Sequence, residues 1–142
     1  MRSQEQSAIS EERIGELIAQ AFSARERAYA PYSGFRVGAA LEGKSGRIYP
    51  GCNIENAAYT PTNCAERTAL FTAVSQGERS FRAIAIVSDS KNPTPPCGVC
   101  RQVLAEFCEA DMTVICADRD GKYVVMTLAE LIPMVFTKKD ME

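Results

Sequence analysis

The chain contains no histidine among its 142 residues. That absence removes the commonest metal ligand and the side chain best suited to moving protons near neutral pH. No histidine is therefore available as a further ligand beside the cysteines. There is no apolar run of membrane-spanning length, and the polar segment 1–10 lacks the apolar stretch of a secretory signal. A basic block is missing too: 16 Lys and Arg face 18 Asp and Glu, for a net charge of −2. Without a patch to neutralise phosphates, nucleic acid is not an expected partner. Internal repeats, low-complexity segments and interdomain linkers are also lacking.

What is present is an ordinary globular composition, 46% hydrophobic and 24% charged. The length fits one domain. We expect a disordered tail over residues 1–9 and a single catalytic domain over residues 10–142. The six cysteines read as reduced thiols in the cytoplasm, serving metal binding or catalysis rather than disulfides.

Ser10-Glu11-Glu12 reads as a helix cap with an acidic first turn. Ile14, Leu17, Ile18, Ala21, Phe22 and Ala28 then follow at helical spacing up to Ala30-Pro31. Residues 35–41 and 47–53 form a predicted hairpin around Gly43-Lys44-Ser45-Gly46. A second helix runs from Cys64 to Gln76-Gly77, and residues 83–88 form a continuous apolar strand. A loop with three prolines leads into a third helix from Cys97 to Cys108. Strands over 112–116 and 123–126 flank a turn at 118–121, and a short helix covers 127–132. The order α-β-β-α-β-α-β-β-α predicts the α/β class, read here as a three-layer α/β/α sandwich with a mixed five-stranded sheet.

Two motifs carry chemistry. In Thr62-Asn63-Cys64-Ala65-Glu66-Arg67 a thiol stands two positions before a carboxylate at the start of a helix. In Pro95-Pro96-Cys97-Gly98-Val99-Cys100 two thiols at i and i+3 share one helical face and can chelate one ion. Three soft ligands suit one zinc ion per chain and leave a tetrahedral position open. Zinc brings a bound water to a pKa of about 7, and Glu66 can move the protons. Helix N-termini favour the thiolates that zinc requires. Taken alone, Cys97 and Cys100 would equally fit half of a structural zinc site or a redox pair. Cys52, Cys108 and Cys116 read as small buried hydrophobes. Glu66 poses a geometric problem, because residues at i and i+2 of a regular helix point to different faces. A non-helical Cys64 would relieve it.

Cys64-Ala65-Glu66 together with Pro96-Cys97-Gly98-Val99-Cys100 resembles the zinc-dependent cytidine deaminases in their small, all-cysteine form. The resemblance spans residues 29–140 and implies the same sandwich fold. It implies hydrolysis of cytidine or deoxycytidine to the uracil nucleoside and ammonia, a step of pyrimidine salvage. Zinc-activated water would attack C4 of the ring while Glu66 shuttles protons, and no organic cofactor is needed. Three thiolates leave zinc with excess negative charge, and the family assigns its neutralisation to an arginine matching Arg67; Gln102 is a weaker candidate. Phe35 matches the aromatic that packs on the pyrimidine, although a Phe beginning a strand also reads as core. Asn53 and Glu55 match the pair that binds the ribose hydroxyls, although Asn-x-Glu could be only a turn. The backbone at Ala65 and Cys97 would hold the polar edge of the base. Ala57, Tyr59 and Phe136 match positions near a neighbouring subunit's pocket, implying a homotetramer.

Overall fold

The computed structural model describes residues 9–142. The expected tail over 1–8 lies outside the described residues. Ile9, placed at the tail's edge in the sequence reading, is buried and packs with the first helix, so the domain begins one residue earlier.

Helix α1 (Glu11–Arg25) starts at Ser10, whose hydroxyl accepts the Arg13 amide, and two glutamates occupy its first turn. It stops short of the expected Ala30, with a turn through residues 26–28. Strands β1 (Val37–Gly43) and β2 (Ile48–Cys52) form the hairpin. Helix α2 (Ala65–Ser75), strand β3 (Phe81–Ser88) and helix α3 (Gly98–Phe107) follow. Strands β4 (Thr113–Ala117) and β5 (Tyr123–Thr127) and the short helix α4 (Leu128–Leu131) complete the domain, with a 3-10 turn at Lys138–Met141. The sheet order is β2-β1-β3-β4-β5. Only β3 and β4 pair in parallel.

Strand alternation divides the core in two. Ala40, Ala83, Ala85, Val87 and Ile115 face Leu17, Ile18 and Ala21 of α1. Ala39, Leu41, Ile84, Ile86 and Val114 face Ala69, Leu70 and Ala73 of α2 and Leu104 of α3. This is the expected three-layer sandwich. At two points only glycine fits the close approach of helix to sheet. A Cβ on Gly38 would lie 2.0 Å from the Ala21 carbonyl, and one on Gly51 would lie 2.4 Å from the Ala65 carbonyl. Gly51 therefore lets the first turn of α2 rest directly on β2.

The pairing registers gather distant segments at one end of the sheet. Val37 opposes Ser88 and Gly38 opposes Cys52, so the start of β1 and the ends of β2 and β3 are neighbours. The parallel partner β4 ends there as well. In open α/β sheets, ligands bind outside the carboxyl ends of the parallel strands. Phe35, Asn53 and the loop before Cys97 all sit at that end.

Candidate active site

Cys64 and Cys97 are the N-caps of α2 and α3, and both are extended, with φ/ψ of −76°/157° and −68°/168°. Such a backbone frees the Cys64 side chain from helical phasing. This resolves the conflict between Cys64 and Glu66: the thiol leaves the helix start at an angle that the regular i, i+2 relation forbids. Pro95 and Pro96 keep the chain extended up to Cys97, and Arg101 Nε donates to the Pro96 carbonyl at 2.8 Å.

The sulfurs of Cys64, Cys97 and Cys100 lie within 4.8 Å of one another. Cys64 to Cys97 is 3.8 Å and Cys97 to Cys100 is 3.3 Å. Zinc–sulfur bonds of about 2.3 Å at tetrahedral angles put sulfurs about 3.8 Å apart. The donor set and its spacing therefore fit one zinc ion, and three sulfurs leave the fourth position for a small molecule. Cys100 is buried, Cys64 is half-buried and Cys97 is exposed.

The surrounding charges are strongly perturbed. The Cys64 thiol is drawn down to about 5, first by the Cys100 thiol that donates to it and next by Arg67. Cys100 is pushed up by the same contact and by burial. Arg67 Nη2 stands 3.2 Å from Cys64 Sγ, as the sequence reading expects. Glu66 is only 4% exposed. Burial pushes its carboxyl up to about 7, and the negative charge on Cys64 adds to the effect. Cys108 and Cys116 are pushed up to about 12 and about 11 by burial; Cys116 lies in the α2–α3 core as read, whereas Cys108 is half-buried and packs against it. Cys52, half-buried at the end of β2, is raised by the same cause.

A second group of residues borders this corner. Asn53 is buried, and its side chain takes up backbone groups at the entry to β1: Oδ1 accepts from Val37 N at 2.9 Å and Nδ2 donates to Phe35 O at 2.8 Å. Phe35 therefore precedes β1 rather than opening it, and it is 40% exposed instead of belonging to the core. Glu55 Oε1 accepts from the amides of Tyr32 (2.9 Å) and Ser33 (3.1 Å), and the Ser33 hydroxyl donates to Oε2. These bonds, led by the Ser33 hydroxyl, hold the Glu55 carboxyl below its usual range. Tyr32, Ser33, Glu55, Tyr59 and Thr62 line an open cleft of about 350 Å³. Reciprocal backbone bonds of 2.9 Å between Ile54 and Asn63 tie this loop to the residue just before Cys64.

Other expected positions fall elsewhere. Ala65 is buried in the first turn of α2, beside Glu66. Gln102 does not turn toward the sulfurs; its amide donates to Phe136 O at 2.8 Å. It is two residues beyond Cys100 and hence on another helix face. Ala57 and Tyr59 stand exposed on the loop after β2, Tyr59 with a positive φ of 60°. The Phe136 ring is also exposed, in the segment after α4. Three residues given no role in the sequence reading prove to matter. Ser33 braces Glu55, Arg101 grips the chain before Cys97, and Asn63 Nδ2 donates to Thr68 Oγ1, which itself donates to the Cys64 carbonyl. The placement of Asn63 directly before a ligand was the only local signal.

The family model for the cytidine and deoxycytidylate deaminase zinc-binding region matches residues 11–117. A cytidine deaminase of Sporosarcina psychrophila is 55% identical over 128 residues, covering 90% of this chain and 94% of that protein. One from Halalkalibacterium halodurans is 56% identical over 125 residues, covering 88% and 95%. The crystal structure of a cytidine deaminase from Burkholderia pseudomallei superposes with a TM-score of 0.84 at 45% identity, covering 90% of this chain and all of that one.

Proposed function

The chain belongs to the cytidine and deoxycytidylate deaminase zinc-binding family, and we propose that it hydrolyses cytidine and deoxycytidine to the uracil nucleosides and ammonia. The observation that carries this reading is the corner where two helix N-termini bring three sulfurs within 4.8 Å of one another beside the buried carboxyl of Glu66. Cys64, Cys97 and Cys100 would hold one zinc ion. Bound there, zinc supplies a Lewis acid that makes water a nucleophile near neutral pH.

Glu66 is the general acid and base. A carboxyl raised to about 7 reaches both protonation states near neutrality, as a proton shuttle requires. It accepts one proton of the attacking water and passes it to N3 of the ring, then takes the second proton from the oxygen added at C4 and delivers it to the departing amine. A bond from C4 to oxygen forms, the bond from C4 to the exocyclic nitrogen breaks, and Glu66 ends as it began. Arg67, on Cys64 Sγ, takes up the excess charge of three thiolates around a dication. Phe35 covers the pyrimidine, the Ala65 backbone holds its polar edge, and Asn53 and Glu55 receive the sugar.

The finer assignments rest on the same reading. Tyr59 and Phe136 are 72% and 59% exposed, and Met134 and Val99 also stand open to solvent. Large apolar side chains left this exposed support an oligomer, here a homotetramer in which Ala57, Tyr59 and Phe136 approach a neighbour's pocket. Six unpaired thiols support a reducing, cytoplasmic setting and a role in pyrimidine salvage. Among the described residues, no helix is long and apolar enough to cross a membrane. The deciding experiment pairs metal analysis with an absorbance assay on cytidine, deoxycytidine and blasticidin S. Zinc near one per chain with loss of cytidine is expected. Turnover of blasticidin S alone, or of none of the three by zinc-loaded protein, would overturn the proposal.

A further inference from the structure

We infer that Ser33 is a positioning residue for substrate selection: it fixes the Glu55 carboxylate so that one acceptor direction, on Oε2, is left for a sugar hydroxyl. This rests on the proposed nucleoside reading and goes beyond it, since Ser33 belongs to neither zinc-site motif. An ionised carboxylate offers about four lone-pair directions. Two are taken on Oε1, by the amides of Tyr32 and Ser33. A third is taken on Oε2 by the Ser33 hydroxyl. That hydroxyl is itself oriented, because its oxygen accepts from Phe35 N at 3.0 Å.

The consequence is a carboxylate that cannot rotate without breaking charge-assisted bonds. The residue itself lines the cleft shared with Tyr32, Tyr59 and Thr62, where a sugar hydroxyl would meet it. The same small unit reaches the residue assigned to the pyrimidine. Ser33 joins Glu55 to the Phe35 backbone, while Asn53 holds the Phe35 carbonyl and the Val37 amide from the other side. Base and sugar contacts are thus set by one hydrogen-bonded loop, tied to the zinc corner through Ile54 and Asn63. Sugar binding can then position the base, which is how remote contacts raise turnover at a distant reacting carbon.

The test is the ratio of kcat/KM for cytidine to that for free cytosine, measured with zinc content on the assembled enzyme. Ser33→Ala should lower this ratio by about tenfold, the scale of one hydrogen bond to a charged group, with zinc retained. Ser33→Thr, which keeps the hydroxyl, should restore most of the ratio. In a Glu55→Ala background, Ser33→Ala should change the ratio no further, because the group it positions is gone. An unchanged ratio in Ser33→Ala, or full additivity with Glu55→Ala, would overturn the inference while leaving deamination intact. A wild type that turns over no cytosine nucleoside would instead overturn the functional reading on which it stands.

Discussion

The three-cysteine corner and the loop proposed to receive the sugar, called the sugar loop below, meet at Asn63, yet they are built on opposite plans. The corner is made of two short sequence motifs, each capping a helix whose N-terminus favours negative charge. Cys97 and Cys100 are one helical turn apart, and packing brings Cys64 to them across α2, β3 and the proline loop. The sugar loop has no regular element. Segments 29–35 and 53–63 are joined by single bridges at Ile54, by the amide of Asn53 and by the carboxylate of Glu55. Side chains there substitute for the missing strand ladder. The corner should therefore fail through loss of charge and metal, and the loop through loss of orientation.

Removing a ligand is the most severe way to separate the two regions. Cys64→Ala, Cys97→Ala or Cys100→Ala should each abolish both stoichiometric zinc and activity, by metal analysis and assay of the same preparation. Cys108→Ala, on the opposite end of α3, should keep zinc and lose only about 1 kcal/mol of stability in denaturant titration. Zinc loss on changing Cys108 would mean that the ligand set is misassigned.

Next comes Glu66. Glu66→Gln should keep fold and zinc while lowering kcat by roughly 10²–10⁴, the range for lost acid–base catalysis. Normal turnover by the zinc-loaded variant would remove Glu66 from the chemistry.

In the loop the effects should be smaller and of another kind. Asn53→Ala leaves Val37 N and Phe35 O without their partner, and an unmet buried group costs about 1–3 kcal/mol. Thermal unfolding should show that loss, with zinc content unchanged and the cytidine-to-cytosine preference reduced. Should Asn53→Ala shed zinc as readily as a ligand variant, the two regions are one cooperative unit and the contrast between them fails.

The mildest test lies away from both. Glu78 accepts from Ser45 Oγ at 2.6 Å and Tyr49 OH at 3.0 Å, and its carboxyl is held below the usual range, chiefly by Ser45. A depressed folded pKa contributes stability that is full above the unfolded value and lost as pH falls through the folded one. Glu78→Gln should therefore flatten the acid side of a melting-temperature profile and leave activity at neutral pH in place. A profile of unchanged slope would show that Glu78 is not part of the acid response.

Much of the chain was legible before any coordinates. The zinc corner was readable because its chemistry is local: helix phasing brings Cys97 and Cys100 together, and Cys64-Ala65-Glu66 needs one cap. The element order and the double-faced apolar strand β3 were readable for the same reason, since periodicity reports which faces are buried. Gln102 was misread because it neighbours a ligand in sequence while its amide points to Phe136. The start of β1 was misread because Phe35 and Val37 are both apolar, and nothing local says that Asn53 rather than a strand takes their backbone groups.

By itself, then, the sequence determined what depends on short spacing: the α/β class, the three thiols, the carboxyl beside them and the guanidinium of Arg67. Tertiary structure decided what depends on contacts between distant segments. The antiparallel registers of β1 with β2 and β3 bring Phe35, Asn53 and the Cys97 loop to one end of the sheet. Gly51 lets α2 settle close enough to place Cys64 beside Cys97. Burial, which only packing can supply, turns Glu66 from an ordinary carboxylate into one that titrates near neutrality.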